Sequence, residues 1–129
     1  MPTVMIIDDN KVQADMVSKV ASKVCKDAVI KTFYDPFLAL TSVFEDEPDL
    51  ILVDFMMPKM DGIHFLREIR KKGIMTKAII ISAFMKKVSE KMLPTNHVAA
   101  VIGKPYVVAE LMDVIRDALG QPNVQNTLS

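Results

Sequence analysis

The stretch LILVDFMMPKMDG, residues 50–62, decides the fold. Its first four residues, Leu50 to Val53, are apolar without a break, and they end on the carboxylate of Asp54. A strand with one wet face alternates apolar and polar residues. A strand that is apolar throughout is buried on both faces, as in a parallel sheet covered by helices. The segment that follows, DGIHFLREIRKK, reads as a helix ended by Gly73, so strand and helix form one βα unit.

The same unit recurs on either side. TVMII (Thr3 to Ile7) reads as a first strand, and KVQADMVSKVASKV as a helix capped by Asn10, with Val12, Met16, Val20 and Val24 four apart, the spacing of one helix face. AVIKTF (Ala28 to Phe33) precedes DPFLALTSVFED, where Asp35 is the cap and Pro36 sits in the first turn. KAIIIS (Lys77 to Ser82) leads to a helix over Met85 to Leu93, with Met85, Val88 and Met92 on one face. HVAAVIG is the fifth strand. YVVAELMDVIRDAL is the fifth helix, with Val108, Leu111, Met112, Ile115 and Leu119 inward. The expected fold is α/β, a doubly wound five-stranded parallel sheet with five helices. Residues 1–119 form this domain, and residues 120–129, GQPNVQNTLS, lack periodicity and read as a tail or the start of a linker.

Composition narrows the function. A chain of 129 residues, half of them hydrophobic, makes one domain with its own core. Sixteen basic residues balance sixteen acidic ones, so no net field draws the domain to nucleic acid or to an anionic membrane. No apolar run approaches the ~20 residues that cross a bilayer. Cys25 is alone and forms no intrachain disulfide, and Met1 opens no secretory leader, so the cytoplasm is the expected setting. With four glycines and neither a dinucleotide fingerprint nor a P-loop, nucleotide-binding readings fail.

Ligands of open parallel sheets bind at the carboxyl ends of the strands. There the first strand carries Asp8 and Asp9, the third Asp54, the fourth Ser82, and the fifth Gly103 and Lys104. Three carboxylates brought together repel one another unless a cation intervenes. Magnesium is the expected ion, because it prefers hard oxygen ligands and retains several waters. Cys25, His64 and His97 lie outside this set, so a soft-metal site is not expected.

IIDDN, LVDFMMPKMDG, IIISA and GKPY, in that order, resemble the receiver domain of two-component response regulators, of the single-domain kind typified by chemotaxis regulators. The resemblance runs from Thr3 to about Leu119. It implies a flavodoxin-like sheet of order 2-1-3-4-5 and a phosphoryl group taken from a sensor histidine kinase or phosphotransfer protein onto Asp54. It further implies that Asp9, Asp54 and the backbone carbonyl of Met56 bind Mg2+, with Asp8 acting through water. Ser82 and Lys104 would bind phosphoryl oxygens, and the bond before Pro105 would be cis. Output would run through the face of helix 4, strand 5 and helix 5 to a downstream protein target.

Three positions depart from the family pattern. Val101 stands where receivers usually carry a Tyr or Phe, three residues before the lysine, and a stiff β-branched side chain cannot swing as that ring does. Met56 and Phe84, two residues after Asp54 and Ser82, are apolar where polar groups are common. Two other readings therefore stand beside the first: a receiver-like interaction module with an atypical output, and a Mg-dependent aspartyl phosphatase. The phosphatase needs an acid where Met56 stands. Elsewhere, Lys86, Lys87 and Lys91 form a solvated face or meet an acidic partner, Tyr106 is a candidate partner anchor, Cys25 is a small buried hydrophobe, and His64 and His97 are solvated side chains.

Overall fold

The computed structural model describes residues 1–120. Five parallel strands, β1 (Thr3–Ile7), β2 (Val29–Phe33), β3 (Leu50–Asp54), β4 (Lys77–Ser82) and β5 (Val98–Gly103), form one sheet in the order 2-1-3-4-5. Helices α1 (Lys11–Val24), α2 (Pro36–Glu45), α3 (Gly62–Lys71), α4 (Met85–Lys91) and α5 (Val108–Ala118) follow the strands in turn. The parallel α/β sheet is the one expected from the run of βα units, and its flavodoxin-like order is the one the resemblance implies. β3 lies at the centre and all five of its residues are buried, which accounts for its unbroken apolar run. The edge strands β2 and β5 are only partly covered.

Alternate residues along each strand serve opposite faces. Met5, Ile7, Ile51, Val53 and Ile80 pack with Leu40 and Val43 of α2 and with Phe65, Leu66 and Ile69 of α3. Val4, Ile6, Leu52, Ile79 and Ile81 pack with Val17 and Ala21 of α1 and with Leu111 and Ile115 of α5. The strand order reverses between β1 and β3, so the switch point lies where these two parallel strands run side by side. Ile7 is level with Val53, Asp54 with Ile81, and Ser82 with Gly103. The residues just past these positions therefore emerge together.

Two helix starts match their expected caps, and a third has a cap not anticipated from the sequence. Asn10 accepts the Gln13 N–H at 3.0 Å, and Asp35 accepts that of Phe37 at 2.8 Å. Asp61 accepts that of His64 at 2.7 Å. Gly73 ends α3 with a φ of 80°, a conformation open to glycine at little cost.

Several expected helix faces need correction. α1 buries Ala14, Val17, Val20 and Ala21, whereas Val12 and Met16 are exposed and Val24 is only partly buried. A spacing of four drifts around a 3.6-residue helix, and the face that meets the sheet mixes spacings of three and four. α4 stops at Lys91, and of Met85, Val88 and Met92 only Val88 is buried. Pro94 disfavours helical geometry in the residue before it, and Met92 and Leu93 are already extended. A single 3-10 turn, Pro94–Asn96, then leads into β5. The Arg70 guanidinium fastens that turn by donating to the carbonyls of Asn96, Ile74 and His97. α5 begins at Val108, after Pro105, and Val108 is exposed. Leu111 and Ile115 are buried as expected, and Met112 and Leu119 are partly buried against the same core. Of the tail expected at 120–129, only Gly120 belongs to the described residues. Among them no helix is long and apolar enough to cross a membrane.

Candidate functional site

The carboxyl ends of β1 and β3 bring together Asp8, Asp9 and Asp54, with one oxygen from each within 4.8 Å of the others. Asp8 and Asp54 are buried and Asp9 is exposed, so the cluster has a closed floor and an open side. Asp8 is anchored twice through its neighbours. Its own N–H donates to the carbonyl of Phe33 at 3.1 Å, and its Oδ1 accepts the Asn10 N–H at 2.9 Å.

β5 delivers Lys104 to the same place. Its Nζ donates to Asp54 Oδ1 at 2.5 Å and lies 3.6 Å from Asp8 Oδ2. The ammonium also donates to Gln13 Oε1 at 2.5 Å, a partner not anticipated from the sequence. The only sequence signal for it is position: Gln13 occupies the first turn of α1, one turn beyond Asp9. Ser82 is buried at the end of β4, its Oγ accepting the Phe84 N–H at 2.8 Å and its carbonyl accepting the Lys104 N–H at 2.8 Å.

Burial dominates the electrostatics. It raises the pKa of Asp8 to about 6, helped by the nearby charge of Asp54, while the Asn10 N–H and Lys104 pull the other way. Burial also raises Asp54, opposed chiefly by its hydrogen bond from Lys104. One ammonium against three carboxylates leaves two negative charges uncompensated when all are ionised. The donor set fits a divalent, hard cation. An octahedral magnesium with bonds near 2.1 Å places its ligand oxygens about 3 to 4 Å apart, a separation that the cluster accommodates. No other group of three or more metal-ligating side chains occurs among the described residues.

Lys104 and Pro105 are joined by a cis peptide bond, as the resemblance implies. Met56 and Phe84 flank the site with side chains of similar exposure, and Lys87 Nζ lies 5.2 Å over the Phe84 ring. Val101 sits in β5 level with Ile80 and is partly buried against the core on the α2 and α3 face. Lys91 is engaged within the chain, pairing at 3.0 Å with Asp61, the cap of α3. Tyr106 is half-buried against the core, so it does not stand out as an exposed anchor. Cys25 is buried and its thiol donates to Asp27. His64 and His97 are exposed and take no part in the carboxylate cluster.

A doubly wound sheet of order 2-1-3-4-5 with an acidic cluster at the carboxyl ends of its strands defines the class as a flavodoxin-like α/β domain. The chain belongs to the response regulator receiver domain family, whose model matches residues 4–116. It is 30% identical over 119 residues to a protein-glutamate methylesterase/protein-glutamine glutaminase of Bdellovibrio bacteriovorus, covering 90% of this chain and 33% of that one. A methylesterase/glutaminase of Chromobacterium violaceum is 32% identical over 127 residues, covering 90% of this chain and 35% of its own. The chain thus spans about a third of the length of these curated relatives. Among solved structures, the receiver domain of a Francisella response regulator superposes with a TM-score of 0.78 at 27% identity, covering 93% of this chain and 98% of that one.

Proposed function

We propose that this domain accepts a phosphoryl group onto Asp54 from the phosphohistidine of a sensor histidine kinase or phosphotransfer protein, and signals by protein–protein contact. The observation that carries this reading is the placement of Asp54: its carboxylate is buried, lies within 4.8 Å of two further carboxylates, and is hydrogen-bonded to Lys104. Asp9, Asp54 and the carbonyl of Met56 would hold Mg2+, with Asp8 acting through water. When bound there, the ion would supply charge neutralisation for the incoming phosphoryl oxygens.

The remaining chemistry belongs to the chain. The Asp54 carboxylate attacks phosphorus in line as the bond to the donor histidine nitrogen breaks. Lys104 is in place to pair with one phosphoryl oxygen, and the Ser82 hydroxyl to bond another. The charge gained at Asp54 draws both residues inward and biases the face formed by α4, β5 and α5 toward its target. A reducing, cytoplasmic setting suits the single buried thiol of Cys25. Incubation with acetyl phosphate and Mg2+ should add one phosphoryl group to the wild type by intact mass and none to Asp54→Asn. Repeated turnover of an external phosphoester would instead establish the phosphatase reading.

Val101 favours an atypical output. Receivers usually place an aromatic ring at this position, and here a smaller side chain is packed against the core. The switch therefore works without the rotation of a ring there. Met56 and Phe84 bear on the lifetime of the phosphorylated state: as apolar residues two positions after Asp54 and Ser82, they would screen an acyl phosphate from water. Replacing both, Met56→Asn with Phe84→Glu, should speed phosphate loss by about ten-fold, since polar groups there would orient water. Equal decay in variant and wild type, followed by mass, would remove these two residues from the account.

A further inference from the structure

We propose that Gln13 is a positioning residue for phosphorylation, its side-chain carbonyl holding the Lys104 ammonium over the acceptor carboxylate. The proposal rests on the reading of Asp54 as phosphoacceptor. An ammonium has three N–H donors on a flexible four-carbon stem, so one good partner leaves it free to swing. Lys104 has three partners: Asp54 Oδ1, Gln13 Oε1 and, more distantly, Asp8 Oδ2. Two of these belong to the acidic cluster. Gln13 is the third point that defines a direction.

Gln13 is itself held in place. Its backbone N–H is bonded to Asn10 Oδ1, and the Asn10 N–H is bonded to Asp8 Oδ1. Lys104 then closes a ring that runs from Asp8 through Asn10 and Gln13 and back to Asp8 and Asp54. The ring links the ends of β1, β3 and β5 to the first turn of α1. Such a ring orients the ammonium beside the acceptor before the reaction, so that it has little distance to move as phosphoryl charge arrives.

The chemistry of the side chain supports the role. Gln13 carries the only amide in the lining of a cavity of about 540 Å3 that also includes Met16, Val17, Tyr106 and Val108. An apolar residue would suit that lining and leave Lys104 without its third acceptor. A carboxylate would bind the ammonium more strongly and compete with Asp54, adding a fourth negative charge beside three. An amide oxygen accepts the bond without either effect.

The test is a double-mutant cycle read by the rate of phosphoryl gain from acetyl phosphate with Mg2+, a small donor that removes any effect of kinase docking. Gln13→Met, which keeps length and helix propensity, should slow phosphorylation by about ten-fold with an unchanged melting temperature. In a Lys104→Ala background the same change should have no further effect. A wild-type rate for Gln13→Met, or the same slowing in both backgrounds, overturns the proposal. The 15Nζ resonance of Lys104 in unphosphorylated protein gives a readout that needs no phosphoryl transfer: it should be observable in the wild type and broadened away in Gln13→Met. Identical resonances overturn the hold of Gln13 on Lys104. A wild type that takes no phosphoryl group overturns the reading of Asp54, and with it the catalytic consequence, while the resonance still decides the tether.

Discussion

Asp8→Asn is expected to give a protein that is more stable than the wild type in metal-free buffer at pH 7, yet poorly able to bind magnesium or take a phosphoryl group. Asp8 is 5% exposed, and burial raises its pKa from 3.8 to about 6. Because the folded-state value is the higher one, the fold prefers the protonated acid. The stability this contributes is fully present below about pH 4 and is lost as pH rises through 6. A shift of that size, with the attraction of Lys104 already included, corresponds to roughly 3 kcal/mol at pH 7. Asparagine keeps the Oδ1 that accepts the Asn10 N–H and removes the buried charge. Urea unfolding from pH 4 to 7.5 should show wild type and variant diverging as pH rises, by about 1–3 kcal/mol. A variant that is the less stable of the two at pH 7 would mean that the pairing with Lys104 outweighs burial. Calorimetric titration should show magnesium bound about 10- to 100-fold more weakly, as expected when a group that orients the bound ion is lost.

Gly62→Ala should destabilise the domain by about 2–4 kcal/mol and slow phosphorylation of Asp54 as well. In an exposed helix the same change would be stabilising by up to ~1 kcal/mol, so its sign is informative. A Cβ at position 62 would lie 2.8 Å from the carbonyl oxygen of Asp54 and 3.2 Å from the Cα of Phe55. Both contacts are to backbone atoms, which cannot rotate out of the way. The Gly62 N–H also donates to the carbonyl of Phe55 at 2.8 Å, so the start of α3 is pressed against the segment that carries the acceptor. Relief of the clash must move either α3 or the end of β3. Chemical denaturation measures the first effect and phosphoryl gain the second. A stabilised variant with wild-type kinetics would show that the contact yields freely.

The fold was legible because its signals are local. The apolar run of β3 marks a central strand, Asn10 and Asp35 mark helix starts, and Gly73 marks a helix end. The candidate cluster was legible for a related reason. Once each strand is bounded, the residues just beyond it must emerge at one edge of a parallel sheet, which assembles Asp8, Asp9, Asp54, Ser82 and Lys104.

Helix faces were less legible. On α1 the spacing of valines and methionines pointed to Val12 and Met16, but the helix is rotated to put Ala14 and Ala21 against the sheet. Small side chains allow close approach, and an apolar count undervalues them. α4 offered even less, since only Val88 of its seven residues is buried, and Pro94 cut it short.

The sequence by itself thus determined the element order, the parallel sheet and the set of residues at its carboxyl edge, because hydrophobic period and strand limits are properties of neighbouring residues. The tertiary structure decided which groups touch. The bond between Gln13 and Lys104 spans 91 residues, the Lys91 pairing with Asp61 spans 30, and the approach of Gly62 to Asp54 depends on how α3 seats against β3. Such contacts follow from the rotation and depth of each helix on the sheet, which are set by the packing of the whole core and leave no local trace in the chain.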